Sequence, residues 1–156
     1  MALLSCFSLA ACSQGTQKPE GTIVCFDYNF NGTIGGWYKF NVQKEIIKMA
    51  FMDYSMVGSH EYEYKADSTF LAQLTELCNK YKVYHWDGFD KTNPDIFDGE
   101  GFSLYIKYGN GKQVSARGMN CFPKDYRLFR TELYTLFESF YNTQNPNQDK
   151  NDLSTE

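Results

Sequence analysis

The sequence predicts an α+β fold: a largely antiparallel sheet of two hairpins plus extra strands, with two helices packed on one face. Two periodicities in the chain predict it. Apolar and polar residues alternate over 22–30 and 102–108, as in half-buried strands. Apolar stripes with helical spacing run through 69–82 and 125–142. Since strands, helix, hairpin and helix follow in that order, antiparallel pairing is favoured over repeated βαβ units.

The first half of the chain supplies most of the sheet. Four segments are predicted strands, the last a short, charged edge strand: 22–30, 33–42, 45–54 and 60–65. Asn31-Gly32 favours a two-residue hairpin turn between the first two, because both positions tolerate positive φ. Gly35-Gly36 interrupts the returning strand and suggests a bulge.

The second half alternates helix and hairpin. Asp67-Ser68 is a capping signal for the helix over 69–82, and Pro123 and Asp125 open the helix over 125–142. Between the helices, residues 86–101 are predicted to form a long turn-rich loop. The turn Gly109-Asn110-Gly111 then joins strands over 102–108 and 113–118 into the second hairpin.

Composition sets bounds on function. Fifteen Lys and Arg against nineteen Asp and Glu give a net charge of -4, so the chain lacks the basic footprint of a nucleic-acid partner. No apolar run approaches the about 20 residues needed to span a bilayer. The sequence lacks a G-x-S-x-G elbow, an H-E-x-x-H motif, a Walker loop and a G-x-G-x-x-G loop. We therefore predict a non-enzymatic protein without a cofactor or metal.

The N-terminus resembles a bacterial lipobox. An apolar stretch over 2–11 ends in Leu9-Ala10-Ala11-Cys12, and the small side chains before Cys12 suit cleavage by a signal peptidase. Cys12 is the predicted lipidation site. A box ending at Cys6 fits less well, because Leu4 stands where a small residue is preferred. No Lys or Arg precedes Cys12, so we expect the true start site to lie upstream. The alternative is an apolar N-terminus that packs on the domain or frays.

The chain accordingly divides into four predicted parts. They are a lipoprotein-type signal peptide over 1–11, a lipidated N-terminus and flexible tether over 12–21, a single globular α+β domain over 22–142, and a disordered polar tail over 143–156. Once the signal is removed and Cys12 acylated, Cys25, Cys78 and Cys121 remain, which allows at most one disulfide within the chain. We predict that all three are unpaired, with Cys78 on the apolar face of the first helix.

The 86–101 segment holds the candidate binding residues. Trp86, Asp87, Phe89 and Asp98 combine rings that could stack on a ligand with carboxylates that could accept hydrogen bonds. Five carboxylates in this segment suggest calcium, but their spacing does not match an EF-hand, and Asp-Gly pairs are typical of turns. Other aromatic candidates for stacking on sugars or peptides are Trp37, Tyr62 and Tyr64. His60 and His85 are the available proton-transfer groups for a hydrolase alternative.

Three sequence motifs carry a resemblance to a group of proteins. Trp86-Asp87-Gly88-Phe89, then Asp98 to Leu104 as D-G-x-x-F-S-L, then Gly118 to Pro123 as G-x-N-x-x-P are similar to uncharacterised secreted proteins and lipoproteins of gut bacteria, chiefly Bacteroidota and Firmicutes. The resemblance covers about 80–142 and, in outline, 22–79. It implies an envelope location and this fold, and no activity.

These observations favour a membrane-anchored lipoprotein of the cell envelope. In the resembling Bacteroidota lipoproteins, acidic runs after the lipidated cysteine are associated with surface export. No such run follows Cys12, so a periplasm-facing position is favoured over the cell surface. The predicted partners are the membrane, through the lipid anchor, and an envelope protein, peptide or glycan. The alternatives are a protein inhibitor or stability partner of an envelope enzyme, acting through a loop at 31–36 or 86–101, and a hydrolase.

Overall fold

Seven strands form one sheet in the computed structural model, which describes residues 18–32, 36–52, 60–96 and 98–146. The elements in chain order are β1 (Ile23–Gly32), β2 (Gly36–Gln43), β3 (Ile46–Met52), β4 (His60–Lys65), α1 (Ser68–Lys80), a 3₁₀ turn (Val83–Trp86), β5 (Phe89–Thr92), β6 (Gly101–Tyr108), β7 (Gln113–Met119) and α2 (Tyr126–Gln144). The strand order is β4-β3-β2-β1-β6-β7-β5, and only the β5–β7 pair is parallel. The predicted α+β class is confirmed, and β4 is an edge strand as expected.

The first hairpin turns later than the sequence predicted. Asn31 pairs with Trp37 and Gly32 with Gly36, so both predicted turn residues belong to β1 and the connection is 33–35. The turn is displaced because the register decides which face each side chain occupies. Shifting the register by one residue sends every side chain of the strand to the other face. The observed register sets Tyr28 opposite Phe40, which keeps the large apolar residues of both strands on the covered face.

Both helices pack on one face of the sheet through aromatic rings. Phe137 of α2 stacks on Phe40 of β2 with ring centroids 4.1 Å apart, and Phe70 of α1 meets Phe137 at 5.1 Å. Phe129, about two turns earlier in α2, contacts Tyr28 of β1 edge-on at 6.4 Å. These residues belong to a single buried cluster, so α2 rests across the middle of the sheet with α1 beside it.

The segment 86–101 is not the long loop that the sequence predicted. Residues Phe89–Thr92 form β5, which extends the sheet beyond β7. Before it, Gly88 adopts φ 76° and its N–H donates to the Ser115 carbonyl oxygen, while Asp87 Oδ1 accepts a hydrogen bond from Ser115 N at 2.9 Å. The strand escaped prediction because it is short and exposed, with Phe89 as its one apolar residue.

The Gly118 to Pro123 motif shapes the exit from β7. A Cβ on Gly118 would lie 2.1 Å from the Cys121 carbonyl oxygen, so this close approach of backbone requires glycine. Asn120 has φ 53°, and its side-chain amide donates to the Ile96 carbonyl oxygen at 3.0 Å. In the structure this part of the motif therefore serves the architecture of the turn before α2.

Helix α1 begins where the capping signal predicted. Asp67 is the N-cap, and its Oδ1 accepts a hydrogen bond from Phe70 N at 2.7 Å. Asp67→Ala removes this acceptor, and we expect the free energy of unfolding to fall by about 1 kcal/mol. Urea unfolding followed by circular dichroism measures the change. Thr69→Ala, an exposed first-turn substitution, is the control; equal losses in the two variants would contradict a capping role.

The chain ends differ slightly from the predicted domain boundaries. Pro19, placed in the predicted tether, is buried, and α2 continues two residues beyond the predicted end at 142. Asn145 then donates from its side-chain amide to the Tyr64 hydroxyl at 2.6 Å, which ties the residue after α2 to β4. The predicted signal peptide, Cys12, the tether up to 17, Gly35 and residues 147–156 lie outside the described residues.

The three cysteines of the folded domain are free thiols, as predicted. Cys78 lies on the buried face of α1 and is fully enclosed in the core, where burial raises the pKa of its thiol. Cys25 and Cys121 are half-buried.

Candidate functional site

One face of the sheet carries neither helix and is polar. Its side chains alternate with those of the core along every strand, because successive strand residues point to opposite faces. Strand register aligns them in rows that cross the sheet. The central row runs Lys39, Asn29, Ser103, Arg117 and Asp90. We call this surface the open face.

A hydrogen-bonded network fixes the middle of the open face. Asp27 accepts hydrogen bonds from the side-chain amides of Asn29 at 2.7 Å and Asn41 at 2.8 Å, and Lys39 Nζ lies 3.8 Å from its second oxygen. The Asn29 amide also donates to Ser103 Oγ at 3.2 Å. Partial burial raises the pKa of the nearby Cys25 thiol, and the Asp27 carboxylate adds to the rise. Side chains that are hydrogen-bonded to one another in this way are held in position before a ligand binds.

Arg117 of β7 and Asp90 of β5 form a bidentate salt bridge between neighbouring strands. Arg117 donates from Nε at 2.8 Å and from Nη2 at 2.7 Å to the two oxygens of Asp90. These hydrogen bonds hold the pKa of Asp90 below its ordinary value and raise that of Arg117. Both side chains are exposed, so the pair adds little to stability. It sets a planar guanidinium against a carboxylate on the open face.

A depression of about 420 Å³ opens at one end of this face. Gly101 lacks a side chain between Asn31 of β1 and Met119 of β7, and that gap forms the floor. Met119, Phe102 and Gly118 give the recess an apolar part, and its polar residues are Asn29, Asn31, Ser103, Arg117, Asp90, Lys91 and Thr92. The volume falls within the about 300–1,000 Å³ of small-molecule sites.

Trp37 stands beside the depression. It is the cross-strand neighbour of Asn31, whose other neighbour is Gly101, and it is half-buried on the open face. Directly paired residues in a sheet have Cβ atoms about 5 Å apart, so the indole flanks the wall that Asn31 forms. Tyr105, also half-buried, is a second aromatic residue of the open face, opposite Asp27.

A larger groove of about 670 Å³ runs between α1 and α2. Exposed helix residues line most of it, and half-buried Leu136 and Phe140 supply its apolar part. Lys80 of α1 and Glu132 of α2 join its walls by an ion pair of 2.7 Å. We place the candidate site on the open face instead, because side chains there are fixed by mutual hydrogen bonds around a recess.

The four predicted binding residues do not form one site. Trp86 is 4% exposed and packs edge-on against Phe129 at 5.1 Å, so the structure contradicts a stacking role for its ring. Half-buried Phe89 lies 6.3 Å from Phe102, and exposed Asp87 binds the β7 backbone. Asp98 is exposed. A binding role for the last three stays a prediction, while Tyr62 and Tyr64 pack against α2.

The carboxylates of the 86–101 segment diverge in the structure. Asp87 binds Ser115, Asp90 binds Arg117, and Glu100 pairs with Arg130 of α2 at 3.0 Å. Across the described parts of the chain, no three His, Cys, Asp or Glu side chains come together as metal ligands. The structure therefore gives the calcium alternative no support.

The two histidines lie far apart. His60 begins edge strand β4, and His85 lies in the 3₁₀ turn beside β7, where its ring contacts Tyr84 at 4.5 Å. Five strand spacings between β4 and β7 separate them by on the order of 20 Å. In the described residues neither imidazole is hydrogen-bonded to a serine or cysteine. Ser59 lies outside those residues, and the prediction that the chain is not an enzyme stays a prediction.

Sequence reasoning missed the residues around the depression. Asn29, Ser103 and Arg117 occupy polar positions of alternating strands, which the pattern alone assigns to an ordinary solvent face. Their proximity depends on β1 pairing with β6, across 74 positions of sequence between Asn29 and Ser103. Trp37 was the one member of this region that its residue type singled out.

Comparison with protein-family models and with curated proteins found no match to this chain. Within the residues that the structure describes, no helix combines the length and the apolar character needed to cross a membrane.

Proposed function

We propose that this chain is a cell-envelope lipoprotein, anchored through Cys12, whose folded domain is a non-enzymatic binding module. Its ligand is an envelope protein, peptide or glycan, bound on the open face. The observation that carries the proposal is the asymmetry of the sheet: one face is sealed by two helices, while the other holds ordered polar side chains around a recess.

The chemistry of the open face supports binding rather than catalysis. The two carboxylates nearest the recess are already engaged: Asp27 by two amides, and Asp90 by a guanidinium that lowers its pKa. A general acid or base works best with a pKa near the operating pH, and the lowered pKa of Asp90 moves that carboxyl away from this range. Amides and paired charges instead fix orientation and select a ligand by shape and hydrogen bonding.

The anchor is tested by expressing the full chain, with its native upstream codons, in a Bacteroidota host. We expect intact-mass spectrometry to show a protein that begins at Cys12 and carries acyl chains. Globomycin should block processing. Cys12→Ala should abolish acylation, while the matched variant Cys6→Ala should leave it intact. A mature protein that retains residues 1–11 without lipid would overturn the anchor.

The binding surface is tested separately by photo-crosslinking in the same host. A benzophenone amino acid replaces Tyr105 on the open face or, as the control, Leu128, which is 61% exposed on α2. We expect an adduct from position 105 and none from position 128. The reverse result would place the partner on the helical side and overturn the proposed surface. A single stoichiometric enzyme captured at 105 would favour the inhibitor alternative.

A further inference from the structure

We infer that the depression around Gly101 is a binding site for a neutral oligosaccharide. This inference rests on the proposed function and narrows its ligand from protein, peptide or glycan to glycan. The structural basis is a recess of about 420 Å³ whose walls carry amides, hydroxyls and a self-paired guanidinium and carboxylate, with an indole beside it.

The hydrogen-bonding groups match a polyhydroxylated ligand. A sugar hydroxyl donates one hydrogen bond and accepts others, so it needs partners of both kinds. Asn31 offers a carbonyl oxygen and an NH₂ group, Asn29 offers its carbonyl oxygen, and the Ser103 and Thr92 hydroxyls can donate and accept. The Asn29 amide is already oriented by Asp27 and Ser103, so part of the site is held in place before binding.

The charges around the recess favour a ligand without net charge. Arg117 and Asp90 neutralise each other through two hydrogen bonds of 2.8 and 2.7 Å. Lys91, the third charged residue of the lining, extends its ammonium group over the Phe89 ring at 5.5 Å, on the side of β5 opposite to Asp90. An anionic ligand would have to compete with Asp90 for the guanidinium, and a cationic one would have to compete with Arg117 for the carboxylate. A neutral ligand can use the outer edges of both groups without separating them.

The position of the recess argues against a peptide strand. Peptides that bind sheets add to an unpaired edge and use its free N–H and C=O groups. The floor of the recess lies over β1, β6 and β7, which are interior strands whose backbone groups pair with their neighbours. Edge strand β5 borders the recess, but a peptide paired with the free side of β5 would lie in the plane of the sheet, beside the recess and not in it. Recognition here must come from side chains. The Trp37 ring next to Asn31 supplies an apolar surface suited to the C–H face of a sugar ring.

The test is a titration of the full-length protein, followed by amide NMR, with cellohexaose, xylohexaose, mannohexaose and the hexamer of N-acetylglucosamine in turn. We expect at least one to shift the signals of Asn29, Asn31, Gly101, Ser103 and Met119. The absence of shifts in this group with all four sugars at millimolar concentration overturns the inference.

Gly101→Ala fills the floor of the recess at small structural cost, because its Cβ would meet the flexible end of Met119 at 3.0 Å. We expect about tenfold weaker binding of the sugar. Gly109→Ala adds the same methyl group just beyond the other end of β6, with ordinary contacts of 3.6 Å and more, and should bind as the wild type does. Equal affinities of the two variants would place the sugar elsewhere.

The outcomes separate this inference from the proposed function. If a protein fraction of the host envelope shifts open-face signals and no sugar does, the ligand is a protein and the inference fails while the proposed function stands. If signals move only along the α1–α2 groove, both fail.

Discussion

Phe137→Ala is expected to lower the free energy of unfolding by about 3–5 kcal/mol, as loss of a large buried ring does. Phe137 has no exposed surface and lies parallel to Phe40, with an interplanar angle of 3°. It also touches Phe70 of α1 and Phe26 of β1, so its removal leaves a cavity where both helices meet the sheet. Urea unfolding monitored by circular dichroism gives the change directly.

The control for this prediction lies on the same helix. Leu128 is 61% exposed on α2, and Leu128→Ala should change the free energy of unfolding by no more than about 0.5 kcal/mol. A loss below about 2 kcal/mol for Phe137→Ala would mean that α2 does not rest on the sheet as described.

Alkaline pH is expected to unfold the domain steeply. Burial raises the pKa values of Tyr28, Tyr38, Tyr108 and Tyr126 well above their ordinary value, and that of Tyr134 to about 12. The folded state therefore keeps these phenols neutral, whereas in the unfolded chain they ionise at about pH 10. Their contribution is fully present below pH 10 and falls as the pH rises, by about 1.4 kcal/mol per pH unit for each of the first four and by less for the more exposed Tyr134.

Several such groups together can exhaust the stability of an ordinary domain, about 5–15 kcal/mol, within a few pH units. Phenolate absorbance and circular dichroism followed together should show a late wave of ionisation that coincides with loss of structure. Tyr126→Phe removes one of these phenols and should make the free energy of unfolding less steep in pH above 10; Tyr105→Phe on the open face is the control. A free energy of unfolding that stays constant from pH 10 to 12 would contradict the burial of these rings.

The sequence predicted the sheet and both helices because burial on one side imposes a period that can be read directly. The first turn was misplaced because Asn31-Gly32 is a strong local turn signal, but burial of Tyr38 and Phe40 required the other parity. Strand β5 was missed because its own residues carry no clear strand signal. It forms by parallel pairing with β7, and the local sequence does not show that contact.

The candidate site was less predictable than the fold. A ring such as Trp86 is equally suited to a core and to a binding surface, and its residue type cannot decide between them. The structure places it against Phe129. The recess, in turn, arises from a missing side chain at Gly101 between strands that are distant in sequence. Such a gap becomes visible only once the strand order is known.

The direction of β1 has a consequence for access from outside. The chain enters the sheet at Ile23 and reaches Asn31 at the recess, a path of about 26 Å along the strand. With lipid attached upstream at Cys12, as proposed, the length of one strand separates the recess from the end of the sheet that is tethered. If both proposals hold, the recess opens at the end of the sheet away from the tethered end, where long polymers can reach it.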